Sequence, residues 1–523
     1  MSQKKAKGCL VASVLWCIIL IALAIAYRFL VHPHLTRKLT EETSSSSQYQ
    51  DEIRIAADSF SGYAILRSDD LANDLRRQGT KLTLIDDQAD YPARLSALKQ
   101  GDVDLAVFTI DSYLAAGASE GEFPGSIVLI IDETKGGDAI VAKPESIDNL
   151  QGLNSPEAKL VLTPNSPSEF LARVVLAHFN LPNLSNDWIE PAEGPQAVLE
   201  KARRTRTSDK KAFVLWEPFV SRAVEEYGHQ ILLDTSKLEG YIVDVLVAQR
   251  TFLRDRPEQV SALVEAYLRS AFTHAQKAAG MTKLVQADSK RTGGDPLTSS
   301  QADQVVQGIQ WKNTLENYAH FGLTSDTGLP HLEDMIMNIV DVLVKTGSVP
   351  SDPLNGQYHT LFYQKTLADL KSNGFHPGRT INVLNGLDSE LESVESVRSS
   401  AEASGISDTQ WQQLRPVGEL RIKPLVFVRG SARISLTSKR DLQTIAKQLK
   451  TFPEFYLRLI GQTRAEGDPD ANRRLASQRA DAVAELLLAA GIGRQRIRTE
   501  AAPSVDLGGE AQSVRFVLGQ LPY

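Results

Sequence analysis

Outside one apolar stretch the chain contains no cysteine, since Cys9 and Cys17 both fall within residues 8–27. The remainder can hold no disulfide framework, no cysteine-ligated zinc and no cysteine nucleophile. A thiol-free body suits an oxidising compartment such as a bacterial periplasm. Basic excess is also missing. With 57 Lys and Arg against 64 Asp and Glu the net charge is −7, which argues against nucleic acid as a partner. There is no Walker A loop and no H-E-x-x-H pair. The histidines are scattered, apart from His32 and His34 beside the apolar stretch. No metal, cofactor or catalytic group is therefore predicted, and binding is favoured over enzymatic chemistry.

The apolar stretch itself, Gly8–Tyr27, runs without a charge and is long enough to cross a bilayer as a helix. Lys4, Lys5 and Lys7 precede it, and Arg28, Arg37 and Lys38 come after it, so the charge difference only weakly favours an N-terminus on the inside. A cleaved signal peptide ending near Ala24-Ile25-Ala26 is the competing reading. The length of the run favours a retained inner-membrane anchor, and either reading exports the chain beyond residue 30. Residues 39–52 are polar and Ser-rich, as a tether would be.

From residue 53 short apolar runs alternate with helical patterns. Strands are predicted at 53–57, 81–86, 104–110, 126–132, 139–143, 159–163, 212–216, 230–234 and 242–249. Helices are predicted among them at 91–101, 168–179 and 195–205. This alternation predicts an α/β domain with largely parallel sheets. Residues 250–375 turn mostly helical, and the Gly/Pro/Asn-bearing stretch 372–386 suggests a boundary. Residues 389–404 form an acidic helix candidate, read as a solvated spacer. The last hundred residues read as strands at 422–428, 455–462 and 513–519, with helices at 438–451 and 471–491, a small α+β domain. The resulting division is a stub and anchor at 1–38, a tether at 39–52, a domain at 53–376, a linker at 377–416 and a C-terminal domain at 417–523.

The order and spacing of "IRIAADSFSGYAILRSDD", "LSALKQGDVDLAVFTIDSYL", "LTPNSPSEFLARVVLAHFNL" and "KAFVLWEPFVSRAVEEYG" resemble periplasmic solute-binding proteins of the nitrate/sulfonate/taurine type, over residues 51–370. The resemblance implies a type 2 binding-protein fold, two α/β lobes closing on a small molecule. One lobe is expected at 53–138 and 240–376, the other at 139–239. Ligands of open α/β sheets sit beyond strand ends, where loops enter helices. Those loops offer Ser59, Phe60, Ser61, Tyr63, Thr109, Ser112, Ser166 and Ser168, the wall residue Trp216, and the acids Asp111, Asp138, Glu217 and Asp244. Each has a plainer role. Ser166, Ser168 and Asp111 are ordinary helix caps, Asp138 orders a glycine turn, Glu217 pairs with a surface arginine, and Trp216 belongs to a core. If the four acids converge, they suit an amine-bearing or zwitterionic guest better than nitrate or a sulfonate.

Residues 417–520 resemble OmpA-like domains that bind peptidoglycan. The informative helix is matched by Asn472, Leu475, Arg479, Ala480 and Val483, with Ala476 at the usual serine. The resemblance implies that Arg479 holds a carboxylate of the wall peptide. It also implies a Gly-His-Thr-Asp run whose aspartate grips the same ligand, where this chain has Gly461-Gln462-Thr463-Arg464. A guanidinium there repels the ligand's ammonium, so either Glu466 or Asp468 takes over or the wall is not bound in that manner. In the alternative, Arg479 pairs with an internal carboxylate. The expected partners are a small solute, peptidoglycan, the inner membrane and a membrane transporter or sensor. A scaffold without a ligand is the competing function.

Overall fold

The computed structural model describes residues 49–277, 279–293, 296–325, 327–378, 395–398, 403–463, 467–502 and 514–523. The predicted membrane span at 8–27 lies outside them. Among the described residues no helix is long and apolar enough to cross a membrane. The chain divides into two compact units, residues 1–53 with 72–83, and residues 54–71 with 84–523. In the smaller, Gln50 N–H bonds the Gly79 carbonyl at 2.8 Å. Glu52 there accepts from Lys81 Nζ at 2.9 Å and Thr83 Oγ1 at 2.6 Å.

The chain first builds β1 (Asp51–Ala56), β2 (Thr80–Ile85), β3 (Leu105–Thr109) and β4 (Gly125–Thr134). It then crosses to a second sheet made of β5 (Asp138–Ala142), β6 (Lys159–Leu162), β7 (Ile189–Pro191), β8 (Lys211–Trp216) and β9 (Gln230–Asp234). It returns to the first sheet as β10 (Val243–Gln249) and β11 (Ile309–Trp311). Within the larger unit the first sheet runs β11-β4-β10-β3-β1, with β3 parallel to β1 and β10 antiparallel to both its neighbours. The second runs β7-β6-β8-β5-β9. β3, β4 and β5 are buried at every position, as continuous apolar strands covered on both faces should be. In the second sheet Val141, Val161, Phe213 and Leu215 pack on Val198 and Leu199 of the helix Gly194–Arg204.

Two lobes joined by two crossings result from this connectivity. The crossings bond to each other: Thr134 N–H to the Ile242 carbonyl at 3.1 Å, Gly136 N–H to Thr235 Oγ1 at 2.9 Å, and Lys135 Nζ to the Leu238 carbonyl at 2.7 Å.

A third sheet, in the C-terminal region, has β12 (Arg415–Glu419), β13 (Tyr456–Gly461), β14 (Ile497–Ala501) and β15 (Val514–Gln520) in the order β12-β15-β13-β14. The helices Leu436–Lys450 and Pro469–Ala489 accompany it. The strand expected at 422–428 does not form. Phe427 makes only an isolated bridge to Ile434, and the edge of the sheet is taken by β12. Val426 and Val428 are exposed, so that apolar run has no face to bury. β14 was not anticipated, because Arg498 and Glu500 interrupt its apolar alternation.

The linker also differs from expectation. Its described residues 395–398 are not helical. Arg398 pairs with Glu316 at 2.8 Å, and Asn313 Nδ2 bonds the Ser396 carbonyl at the same distance. Glu316 is fully buried and needs a cation. That requirement ties down a segment whose composition alone reads as solvated.

The C-terminal region packs on the second lobe and its crossing. Phe452 is fully buried against His178, Phe179 and Tyr241, with ring centroids 5.2, 6.2 and 6.2 Å away. His178 is bonded at both nitrogens, Nε2 with the Tyr241 hydroxyl at 2.8 Å and Nδ1 with Gln448 at 2.7 Å. Gln520 Nε2 donates to the Leu232 carbonyl at 3.0 Å, and Lys237 pairs with Glu454 at 2.6 Å.

Candidate functional site

The ends of β3, β4 and β6 and the starts of β5 and β10 carry polar side chains that the protein buries. Asp244 is the register partner of both Thr109 and Asp132. Tyr63, from the turn after β1, donates its hydroxyl to Asp244. Gly62 lies against Asp132 so closely that a Cβ there would come within 2.5 Å of Oδ2. A glycine is therefore what lets this carboxyl sit on the loop backbone. Asp111 lies in the first turn of the helix Ile110–Glu120, and Asp138 opens β5. From the second lobe come Thr163 and Ser168, at the entry to the helix Pro167–His178.

Among the described residues several of these atoms have no hydrogen-bond partner: Asp111 Oδ1, both oxygens of Asp132, Thr163 Oγ1 and Ser168 Oγ, while Thr134 Oγ1 has none but the neighbouring Asp138. Burial pushes Asp111 up to about 7, and the charges of Asp138 and Glu169 add to it. Asp138 opens the first strand of the second sheet and Glu169 lies in the helix after β6, whereas Asp111 follows β3 of the first sheet, so acids attached to both sheets act on one another. Asp138 is likewise raised to about 7, by burial and then by Glu217. Burial raises Asp132 and Asp244 well above the carboxylate range, and the charge of Asp132 adds to the rise at Asp244. With both ionised, neither oxygen of Asp132 has a donor, whereas a proton on one carboxyl can be shared with the other.

The remaining predicted residues behave differently. Thr109 Oγ1 donates to Ser112 Oγ at 2.8 Å, which donates to the Thr109 carbonyl at 2.9 Å, so both hydroxyls are used locally. Ser166 occupies a helix N-cap position but sends its hydroxyl back to the Thr163 carbonyl at 2.6 Å. Ser168 makes no cap bond, contrary to the capping expectation. Glu217 meets no arginine. It accepts from Ser221 N–H at 3.2 Å and Ser221 Oγ at 2.9 Å, which satisfies the entry to the helix Phe219–Glu225. Trp216, opposite Asp138 in the β5–β8 pairing, is half-buried. Ser59 is exposed, while Phe60 and Ser61 are half-buried, with the Phe60 ring 5.3 Å from that of Tyr63.

Sequence reading missed Asp132, Thr134 and Tyr267, whose buried hydroxyl is unpartnered and feels the charges of Asp132 and Asp244. The available signal for Asp132 was an acid closing an otherwise apolar strand. Two cavities, of about 430 and 420 Å³, lie elsewhere. The first is bounded by Phe179, Trp188, Lys345 and Arg421, the second by Glu239, Asp334, Lys450 and Arg496. None of the predicted residues lines either.

In the C-terminal domain Ala476, Ala480, Val483 and Leu487 form the buried stripe of the long helix, and Arg479 sits half-buried at its margin. Its guanidinium lies 5.0 Å from the Phe427 ring centroid, and Nε donates to the Ser431 carbonyl at 3.2 Å. Among the described residues no carboxylate pairs with it, and burial lowers its pKa. Thr463 is buried, its hydroxyl donating to the Asn472 carbonyl at 3.3 Å. Asp468 is engaged as a helix cap, accepting from Asp470 N–H at 3.0 Å. Arg464 and Glu466 lie outside the described residues. β13 approaches the helix so closely that a Cβ on Gly461 would overlap the Ala476 carbonyl oxygen.

Residues 426–510 match the OmpA family. The probable lipoprotein YiaD of Escherichia coli (strain K12) is 37% identical over 76 residues, which are 14% of this chain and 35% of the lipoprotein. The chain thus spans about a third of that curated relative. Among solved structures, the alkanesulfonate-binding protein SsuA of Xanthomonas axonopodis pv. citri, bound to MOPS, aligns with 60% of this chain and 99% of its own at 16% identity and a TM-score of 0.46. The periplasmic aliphatic sulphonate binding protein SsuA of Escherichia coli aligns with 61% and 93% at 17% identity and a TM-score of 0.45. The desulfurization enzyme DSZB aligns with 62% and 100% at 13% identity and a TM-score of 0.41.

Proposed function

We propose that this chain is a solute receptor of the bacterial cell envelope. Residues 8–27 anchor it in the inner membrane, residues 53–376 form the two-lobed receptor, and residues 417–523 reach the cell wall. The lobes correspond to 53–138 with 240–376 and to 139–239, and 377–416 is the linker. One observation supports the receptor reading: among the described residues, buried polar atoms without partners lie at the ends of strands of both sheets. Unsatisfied buried groups of this kind cost roughly 1–3 kcal/mol each, and a bound guest is a reason to retain them. The crossings act as the hinge, and opening them admits the solute. A receptor fixed at both ends cannot shuttle, so its closure is read by a neighbouring transporter or sensor in the membrane. The half-buried Arg479 supports wall contact, because among the described residues it has no carboxylate partner and remains available to an anionic ligand.

A screen of the full chain for ligand-dependent rise in melting temperature tests the receptor reading, since binding stabilises the native state once ligand exceeds its dissociation constant. A broad solute panel without any shift would leave the alternative, an envelope scaffold. Retention on purified peptidoglycan sacculi tests the wall contact. Wild type is expected to be retained and Arg479→Met released, and equal recovery of the two in the wash would remove Arg479 from that role.

A further inference from the structure

The charge inventory around the cleft is one-sided. Among the described residues the basic side chains near it are already committed to acids. Lys312 and Lys135 pair with Glu133 at 2.7 and 3.1 Å. Arg173 pairs with Glu169 at 2.5 Å, Arg67 with Asp288 at 2.6 Å, and Arg94 with Asp58 at 2.9 Å and with Asp87. Among the described residues neither Asp111 nor Asp138 stands in an ion pair, although each is more than nine-tenths buried, and the charges that raise them are other carboxylates, Asp138 and Glu169 for the first and Glu217 for the second. The acids are not the whole of it. Ser168, on the second lobe, is fully buried with an unpartnered hydroxyl, in a helix, Pro167–His178, that packs on both the helix Ile110–Glu120 carrying Asp111 and the strand β5 opened by Asp138. Thr163 Oγ1 is unpartnered at the same helix entrance. Hydroxyls accept from N–H groups as readily as they donate.

Resting on the receptor reading above, we propose that the cleft takes a solute presenting a protonated amine, seated between Asp111, at the end of the first sheet, and Asp138, at the start of the second. Ser168 accepts one of its N–H groups. An ammonium supplies the countercharge that the protein withholds, and it brings donors to Asp111 Oδ1 and Ser168 Oγ, which lack partners among the described residues, as well as to the Asp138 carboxyl. A sulfonate or nitrate would bring acceptors to acceptors and negative charge to carboxyls. Without the amine, burial favours the neutral, protonated form of both acids. The amine takes the place of those protons, so lobe closure and charge compensation occur together. Among the described residues no group of three His, Cys, Asp or Glu is arranged for a metal ion, which leaves an organic cation as the fitting chemistry.

The test uses the full chain in mild detergent at about pH 8, above the values to which Asp111 and Asp138 are raised, so that these two are mostly ionised. Putrescine, γ-aminobutyrate, propanesulfonate and nitrate are compared by melting temperature and by titration calorimetry. The amine-bearing probes are expected to raise the melting temperature, and the two anions to leave it unchanged. Asp111→Asn and Asp138→Asn should each weaken amine binding about tenfold or more. The asparagine is isosteric and removes a buried charge, so an unchanged or higher melting temperature without ligand shows that the variant is folded. Stabilisation by propanesulfonate or nitrate with silence from the amines overturns the cation assignment and leaves the receptor reading intact. Amine binding that both variants retain unchanged overturns the seat proposed here. Silence from these four probes overturns the cation assignment, and silence across a broad solute panel as well removes the receptor reading with it.

Discussion

The cleft and the seam between the second lobe and the C-terminal domain are both buried and both polar, yet they are built on opposite principles. In the seam every group considered finds a partner: His178 at both ring nitrogens, Lys237 with Glu454, Asp234 N–H with the Tyr523 hydroxyl at 2.9 Å. In the cleft Asp111, Asp132 and Ser168 have atoms that find none among the described residues. The same contrast recurs between consecutive residues of β4. Glu133 accepts from Lys312, Lys135 and Gly240 N–H, while Asp132, on the other face of the pleat, has no donor. Burial opposes ionisation of Glu133, but Lys135 and Lys312 hold it below the carboxylate range, whereas burial raises Asp132. Paired buried charge belongs to the scaffold, and the unpartnered carboxyls are where the proposed receptor would seat its solute.

The harshest way to break that contrast is to make the scaffold resemble the cleft. Glu133→Ala leaves Lys312, only 2% exposed, without its carboxylate. It should cost roughly 3–5 kcal/mol, the usual penalty for stranding one member of a buried pair. Chemical denaturation of the α/β lobes reads this directly. A fall under about 1 kcal/mol would mean that the pair is solvated and the contrast weaker than drawn. Next in size is Phe452→Ala at the seam. Losing a fully buried ring packed on three others should cost about 3 kcal/mol, within the range for large core truncations. Limited proteolysis between residues 403 and 420 should speed up if this ring holds the C-terminal domain on the lobe.

Most of the frame was legible, for a stated reason. Strands such as β3 and β9 are short apolar runs between turn residues, and nothing in the tertiary structure overrides them. The run at 422–428 has the same local signal, but the side of β15 left open by β13 is taken by β12. The acids at the lobe boundary were identified as candidates one by one. Their convergence was not legible, because it depends on how two lobes face each other, and no local pattern encodes that. Asp132 was passed over because it closes an apolar strand in a position where an aspartate commonly just ends the run. Glu316 and Arg398 were missed for a related reason, since the residues are 82 apart and neither stands in a motif.

Acid should separate the two regions by sign. Asp111 and Asp138 have folded-state values raised to about 7 against an ordinary 3.8. The folded state therefore holds protons that the unfolded state has lost, and stability declines as pH rises from about 4 to about 7. His178 behaves oppositely. Burial lowers it to about 3, so the unfolded state binds the extra proton and stability declines as pH falls below about 6.5. Subtracting variants isolates each. Asp111→Asn should gain on wild type by an amount that grows between pH about 4 and about 7 and then levels off, approaching a few kcal/mol. His178→Gln should lose the acid-side decline. A parallel pH profile for Asp111→Asn and wild type would show that this carboxyl titrates normally and has solvent access.

The smallest expected effect on stability concerns two arginines of the C-terminal domain. Arg496 is 1% exposed and donates to the carbonyls of Phe455 at 3.0 Å, Leu449 at 3.3 Å and Phe452 at 2.5 Å, so it is part of the structure. Arg479 has one carbonyl bond and a ring beneath it, and its head reaches the surface. Long side chains placed this way cover apolar surface with their stems while the charge stays hydrated. Arg479→Met keeps the stem over Phe427 and deletes only the charge, so it should change stability by less than about 1 kcal/mol, while Arg496→Met strands three carbonyls and should cost more than about 2 kcal/mol. If the domain uses Arg479 to hold an anionic wall ligand, the stable Arg479→Met variant is the one that loses retention on sacculi. A variant that loses stability and retention together would instead place this guanidinium with Arg496, as a strut rather than a hand.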